Sequence, residues 1–280
     1  MASRKQLAKE TICYIKQGWY PLEQTKIQIA DLQQYAQQHT VLISPQQSEQ
    51  WITATKPKTE RKADIQIENI STVQAICNWK QQGIEQVGVL NFASAKNPGG
   101  GFLNGANAQE ESLAVSSGLY HCLLEQPEYY ETNRVCNTMM YTDYAIFSPE
   151  VVFFRDGKKM NLLPKPVTAS VLTMPAVNMG QVIRKGEDQQ QARQVMKNRM
   201  RKVLAIFLEK GCKNLILGAY GCGVFQNDVT EVAQNWSDLL ETESYNSCFE
   251  HVLFAILDHS KEEKSIQIFK QIVAVESEKN

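Results

Sequence analysis

Two glycine-rich segments, each placed where an apolar run ends, constrain this chain more than anything else in its sequence. The first is Asn91-Phe92-Ala93-Ser94-Ala95-Lys96-Asn97-Pro98-Gly99-Gly100-Gly101, which continues the apolar run 87–92 and is followed seven residues later by Gln109-Glu110-Glu111. The second continues Leu215-Ile216-Leu217 as Gly218-Ala219-Tyr220-Gly221-Cys222-Gly223-Val224-Phe225-Gln226-Asn227-Asp228. Short apolar runs bounded by Gly and Pro read as buried strands. Glycine has no Cβ, so a glycine run after a strand can hold φ > 0 and turn backbone N–H groups into a concavity suited to phosphate. Two such loops suggest a bridging diphosphate.

The segment 109–124 places Leu113, Tyr120, Leu123 and Leu124 at helical spacing, which puts Glu110 and Glu111 in a first turn. Successive helix residues point about 100° apart, so the two glutamates cannot share one role. Acidic residues also occur in first turns simply because they favour the positive end of the helix dipole. The second glycine loop tips the reading towards a site.

Along the rest of the chain, helices are predicted over 3–17 and 27–39, then a connecting loop over 44–62 that carries Pro45 and Pro57. A strand at 65–67, a Ser71-capped helix over 72–82, the strand 87–92 and the helix 109–124 follow. Residues 126–165, with Pro127, Pro149 and Pro164, read as a long irregular excursion containing a short strand at 151–154. Strands at 167–173, 215–219 and 251–257, alternating with helices at 188–209, 229–240 and 263–272, complete an α/β order in which both glycine loops sit at the carboxyl ends of strands.

The whole sequence of 280 residues suits one large α/β domain with an appended segment. A net charge of −1 offers no global attraction to nucleic acid or acidic lipid, so a polyanionic ligand must be held by local features. No apolar run approaches the roughly 18 residues of a membrane span, and the start lacks a signal-peptide core, so a cytoplasmic protein is expected. Seven cysteines without a CxxC pair argue against a zinc site or a disulfide framework, and most read as small buried hydrophobes. Cys222 lies in a glycine loop, but with no His near it in sequence it lacks the base a nucleophile needs. His39, His121, His251 and His259 are dispersed and receive no role. Tyr129, Tyr130, Phe147, Phe153 and Phe154 could line an adenine pocket, though core aromatics are the commoner explanation.

The pattern Gly-Gly-Gly, seven residues, Gln-Glu-Glu resembles the signature of poly(ADP-ribose) glycohydrolases, and the surrounding 89–98 is similar to the microbial branch of that family. The loop 218–228 resembles that branch too, as do Tyr144-Ala145-Ile146-Phe147-Ser148-Pro149-Glu150-Val151-Val152-Phe153-Phe154-Arg155-Asp156 and Val171-Leu172-Thr173-Met174-Pro175-Ala176-Val177-Asn178. Four separated motifs thus stand in family order across most of the chain. The resemblance implies a macrodomain-like three-layer α/β/α sandwich with a mixed sheet over 63–280, preceded by a helical extension over 1–62.

It further implies cleavage of the ribose–ribose O-glycosidic bond of poly(ADP-ribose), in exo mode, with ADP-ribose released, no cofactor, no metal and a monomeric enzyme. By resemblance Glu111 is the general acid and then the base for the attacking water, while Glu110 binds a ribose hydroxyl. Acid catalysis from a helix N-terminus needs help, which the substrate diphosphate, the neighbouring Glu110 and the loss of water on binding would supply. Gly99, Gly100 and Gly101 would approach the distal ribose and diphosphate, and Gly221, Cys222, Gly223 and Val224 would offer N–H groups to phosphate. Phe225 would pack on the terminal sugar, and Asn91, Asn97 and Gln109 complete the expected binding set. A hydrolase of mono-ADP-ribose on protein or nucleic acid, and a reader that binds ADP-ribose without turnover, remain open at this point.

Overall fold

A computed structural model of the chain describes residues 2–54 and 61–274. Ser3 caps α1 (Arg4–Gln17) by accepting the Gln6 N–H, and Gly18, left-handed at φ 77°, ends it. The chain then makes the hairpin β1 (Trp19–Leu22) and β2 (Thr25–Gln28), with Trp19 opposite Gln28. The predicted helix 27–39 is therefore shorter, α2 (Ala30–Gln38), because Ile27 and Gln28 pair across the hairpin.

β3 (Val41–Ile43) follows, and then α3 (Pro45–Thr53) in place of the predicted loop. The signal for α3 was in the sequence: Ser44 and Gln47 form a reciprocal capping box, and Pro45 occupies a position where its missing N–H costs nothing. Pro57, also assigned to that loop, lies outside the described residues. The N-terminal region is largely helical, and β3 also ties it into the main sheet by pairing antiparallel with β6 (Ala145–Arg155).

The body of the chain opens with β4 (Asp64–Glu68), α4 (Thr72–Gln81) capped by Ser71, and β5 (Val87–Phe92). The predicted single helix 109–124 is two, α5 (Gln109–Ser116) and α6 (Leu119–Leu124). Ser117 between them is extended and bridges Phe153, its hydroxyl donates to Leu113 O and accepts the Leu119 N–H, and Gly118 N–H donates to Val152 O. A tertiary contact with β6 thus breaks a helix that local periodicity would continue.

The excursion predicted at 126–165 is also ordered, as α7 (Pro127–Val135), β6, and the start of β7 (Leu162–Met174). Pro149 lies in a β-bulge between the Ser148 and Val151 pairs, and Pro164 and Pro166 lie where the β6–β7 register shifts, so no ladder N–H is missed. The remaining elements are α8 (Met179–Lys185), absent from the sequence reading, α9 (Gln189–Glu209), β8 (Asn214–Leu217), α10 (Val229–Ser237), β9 (His251–Ala255) and α11 (Lys264–Phe269).

The seven-stranded sheet runs β3-β6-β7-β5-β8-β9-β4. β7, β5, β8, β9 and β4 are mutually parallel, and β6 and β3 are antiparallel to their neighbours. One face of the sheet packs against α8 to α11 through Met200, Leu204, Trp236 and Phe269. The other packs against α4 to α7 through Val73, Ile76, Leu113, Leu119 and Tyr129. This is the expected three-layer mixed α/β/α sandwich. Because five strands are parallel, their carboxyl ends share one edge, where ligands bind in such sheets. No described helix is long and apolar enough to cross a membrane.

Candidate active site

A cleft of about 980 Å³ lies along that edge. Its wall is built from the segments around the ends of β4 (Ile70, Ser71, Thr72), β5 (Phe92, Ala93, Ser94, Asn97, Pro98, Gly100, Gly101), β7 (Ala176), β8 (Ala219 and Gly221 to Phe225) and β9 (Ile256, Leu257, His259), together with Leu103, Asn104 and the first turn of α5. The volume is at the upper end of the ~300–1,000 Å³ usual for ligand pockets. β5 and β8 are adjacent and parallel, so the two glycine loops recognised in the sequence meet in this cleft.

The first loop is shaped around carboxylates. Gly99 and Gly100 are left-handed at φ 65° and 58°. A Cβ on Gly100 would lie 2.4 Å from Glu111 Oε1 and 3.0 Å from Glu110 Oε2, so only glycine lets the backbone pass between the two acids. Glu111 Oε1 accepts the Gly101 N–H at 2.8 Å, and its Oε2 accepts the Ala108 N–H at 3.1 Å. Gly100 N–H is used inside the turn, on Asn97 O. The loop expected to cradle phosphate therefore spends these donors on itself and on Glu111.

Glu110 points the other way, as adjacent positions on a helix must. It is buried, its Oε2 accepting the Ser94 N–H at 2.7 Å and its Oε1 an N–H of the Asn91 amide at 3.3 Å. Burial, the dominant cause, pushes its carboxyl up to about 8, against the hydrogen bonds from Ser94 and Asn91. At neutral pH burial thus favours the protonated form of Glu110.

Asn91 stands behind Glu110, fully buried and outside the cleft wall, its amide also donating to Thr173 Oγ1 at 3.1 Å. Its Oδ1 has no partner among the described residues. Gln109 lines the cleft but its amide is engaged: it accepts the Phe92 N–H at 2.9 Å and donates to Leu90 O at 2.8 Å and Thr72 Oγ1 at 3.2 Å. Both residues fix α5 to the end of β5. Asn97 is exposed on the cleft wall.

The second loop is open where the first is closed. The N–H groups of Gly223, Val224 and Phe225 donate to no acceptor among the described residues, and Gly221 turns the chain at φ 74°. The loop is held from behind by Asn227, whose amide donates to Val177 O at 2.8 Å and Gly221 O at 3.0 Å, by Trp236 Nε1 on Gly218 O and by Tyr220 on Met174 O. A rigidly backed run of free N–H groups is a ready anion site. Val224 is 81% exposed at its tip, and Phe225, half-buried, packs on Tyr141 at 6.0 Å.

Cys222 lines the cleft, but burial pushes its thiol up to about 12, which leaves it inert as a nucleophile. Of the seven cysteines Cys77, Cys122 and Cys212 are buried, fewer than the sequence reading expected. Tyr129, Tyr130, Phe153 and Phe154 are core residues, and burial first, then the nearby Glu110, pushes the Tyr130 hydroxyl well above its ordinary range. His259, which the sequence gives no role, is part of the cleft wall; its signal is its place four residues beyond the end of β9. Among the described residues no group of His, Cys, Asp and Glu could hold a metal ion.

Residues 8–156 match the family model described as microbial-type PARG, catalytic domain. The chain belongs to the microbial-type poly(ADP-ribose) glycohydrolases. Membership makes it a glycoside hydrolase. The poly(ADP-ribose) glycohydrolase of Thermomonospora curvata is 34% identical, covering 96% of this chain and 98% of that one with a TM-score of 0.91. Its form bound to the inhibitor ADP-HPD aligns over the same shares at 33% identity and a TM-score of 0.87. The Deinococcus radiodurans enzyme in complex with ADP-ribose is 37% identical, covering 89% of this chain and 99% of that one with a TM-score of 0.82. A comparison with curated proteins gives no match.

Proposed function

We propose that this family member removes terminal ADP-ribose units from poly(ADP-ribose), with Glu111 as general acid and then base. The observation that carries the reading is the meeting of two unlike strand-end loops in one cleft: a carboxylate pair beside Gly100 and a run of free N–H groups at Gly223 to Phe225. The N–H run binds the substrate diphosphate, Phe225 packs on the distal ribose, and Glu111 is left at the anomeric bond. Residues 63–280 form the catalytic unit in this reading, and residues 1–62 form the extension that braces it.

Protonation of the departing hydroxyl by Glu111 and stabilisation of the oxocarbenium-like centre by the diphosphate supply the two needs of glycoside cleavage. Glu110, holding its own proton at neutral pH, puts no like charge beside Glu111 and can donate to a ribose hydroxyl. The help that Glu111 needs then comes from the substrate diphosphate and the exclusion of water. The exo mode requires the cleft to close beyond the terminal unit, and Leu257, His259 and Ser265, which line it after β9, are the candidates for that end.

The test is release of free ADP-ribose from purified polymer by the wild type and by Glu111→Gln, with ADP-ribose binding to both measured by calorimetry. The expected result is retained binding and cleavage at least ~100-fold slower in the variant. A wild type that binds ADP-ribose but leaves polymer intact would instead be a reader or would act on a mono-ADP-ribosyl linkage.

A further inference from the structure

The cleft wall contains neither Lys nor Arg among the described residues, although the substrate is a polyanion. A cation that feels the charge of the acid comes from the N-terminal extension. α1 is pinned along α5, the helix that begins with the carboxylate pair: Thr11 Oγ1 donates to Val115 O at 2.6 Å in its last turn, and Ala8 packs with Phe102, Ala114 and Val115. Its first turn meets the turn that carries Leu103 and Asn104, where a Cβ on Gly105 would lie 3.1 Å from the Lys5 backbone nitrogen.

Arg4 precedes Lys5 at this junction, half-buried, and the charge of Glu111 opposes the lowering that burial imposes on its guanidinium. It nevertheless makes no ion pair with Glu111, whose two oxygens are taken by the Gly101 and Ala108 N–H groups. Among the described residues Arg4 has no hydrogen-bond or ion-pair partner at all. A partly desolvated guanidinium with a planar fork of donors and no acceptor is suited to a bidentate phosphate contact.

The chemistry of the polymer says which phosphate that is. The oxygen protonated by Glu111 is a ribose hydroxyl of the next unit, and the same ribose carries that unit's own diphosphate a few bonds away. As the terminal unit fills the cleft, the neighbouring diphosphate stays outside it, on the Glu111 side. We propose that Arg4, with the exposed Lys5 beside it, forms a subsite for the diphosphate of the departing polymer unit, so that the N-terminal extension selects polymer over a lone ADP-ribosyl group.

This subsite rests on the glycohydrolase reading above. The experiment compares wild type, Arg4→Gln and Arg4→Lys on poly(ADP-ribose) and on an aryl α-glycoside of ADP-ribose, whose leaving group carries no phosphate. Arg4→Gln is expected to lower kcat/KM on polymer roughly tenfold or more, the size of one charge-assisted contact to phosphate, mainly through KM. The aryl glycoside and ADP-ribose binding should change less than about twofold, and Arg4→Lys should recover much of the polymer activity. Equal losses on both substrates would mean that Arg4 acts on Glu111 or on the fold, and no loss on either would mean that it binds nothing; both results overturn the subsite. A wild type that cleaves neither substrate refutes the glycohydrolase reading itself, and the subsite with it.

Discussion

Glu110→Gln isolates the energetic consequence of burying one acid of the pair. The folded carboxyl titrates at about 8 against an ordinary value of 4.5, with burial as the main cause. Between those two values the unfolded chain has lost this proton and the folded chain has kept it, so folding takes up a proton and stability falls as pH rises. The slope is about 1.4 kcal/mol per pH unit, and it vanishes below the unfolded value and above the folded one, for a total of about 5 kcal/mol as an upper bound. Gln at this position cannot ionise. Its amide oxygen can accept the Ser94 N–H, and its NH2 can donate to Asn91 once that amide turns to present Oδ1, the atom that now lacks a partner. The variant therefore imitates the protonated acid. In urea unfolding followed by tryptophan fluorescence, wild type and variant should be about equally stable near pH 5, and the variant should gain by about 1 kcal/mol or more per pH unit up to pH 8. A difference that stays constant from pH 5 to 9 would mean that Glu110 is ionised throughout, and the reasoning from burial would be wrong.

Two further substitutions probe the glycine loops. Gly100→Ala forces a Cβ to within 2.4 Å of Glu111 Oε1 on a left-handed backbone, so the carboxylate must leave the Gly101 N–H. A loss of about 2–4 kcal/mol in stability and at least ~100-fold in polymer cleavage is expected, checked by thermal unfolding and ADP-ribose release. Cys222→Ser should keep activity within a few fold, because burial holds the thiol protonated at neutral pH and the cleft uses this segment through its backbone; a loss beyond ~100-fold would reinstate the sulfur as a nucleophile.

Much of this molecule was legible from short-range signals, because those signals act over a few residues. Ser71 before a helical run, the apolar 87–92 ending at glycines, and the parallel order of strands and helices each depend on local sterics or on pattern, and all stand in the structure. α3 was missed although its capping box is local, and other errors came where distant contacts overrode local preference. Pro149 and Pro164 read as loop, yet a bulge and a register shift in the β6–β7 pair accommodate them. Residues 109–124 have one helical pattern, and the pairing of Ser117 and Gly118 with β6 splits it.

At the site, the residue types were determined by sequence and their roles by tertiary structure. Sequence by itself determined two glycine turns at strand ends and two glutamates that must diverge on a helix, because backbone freedom and the 3.6-residue turn are local properties. That β5 and β8 lie side by side, and so bring the carboxylates and the free N–H groups into one cleft, follows from the strand order. The burial that makes Glu110 a weak acid, the placement of Asn91 behind it and the packing of α1 along α5 depend on elements far apart in the chain. Desolvation and through-space charge are set by what packs around a group, and only the folded chain specifies that.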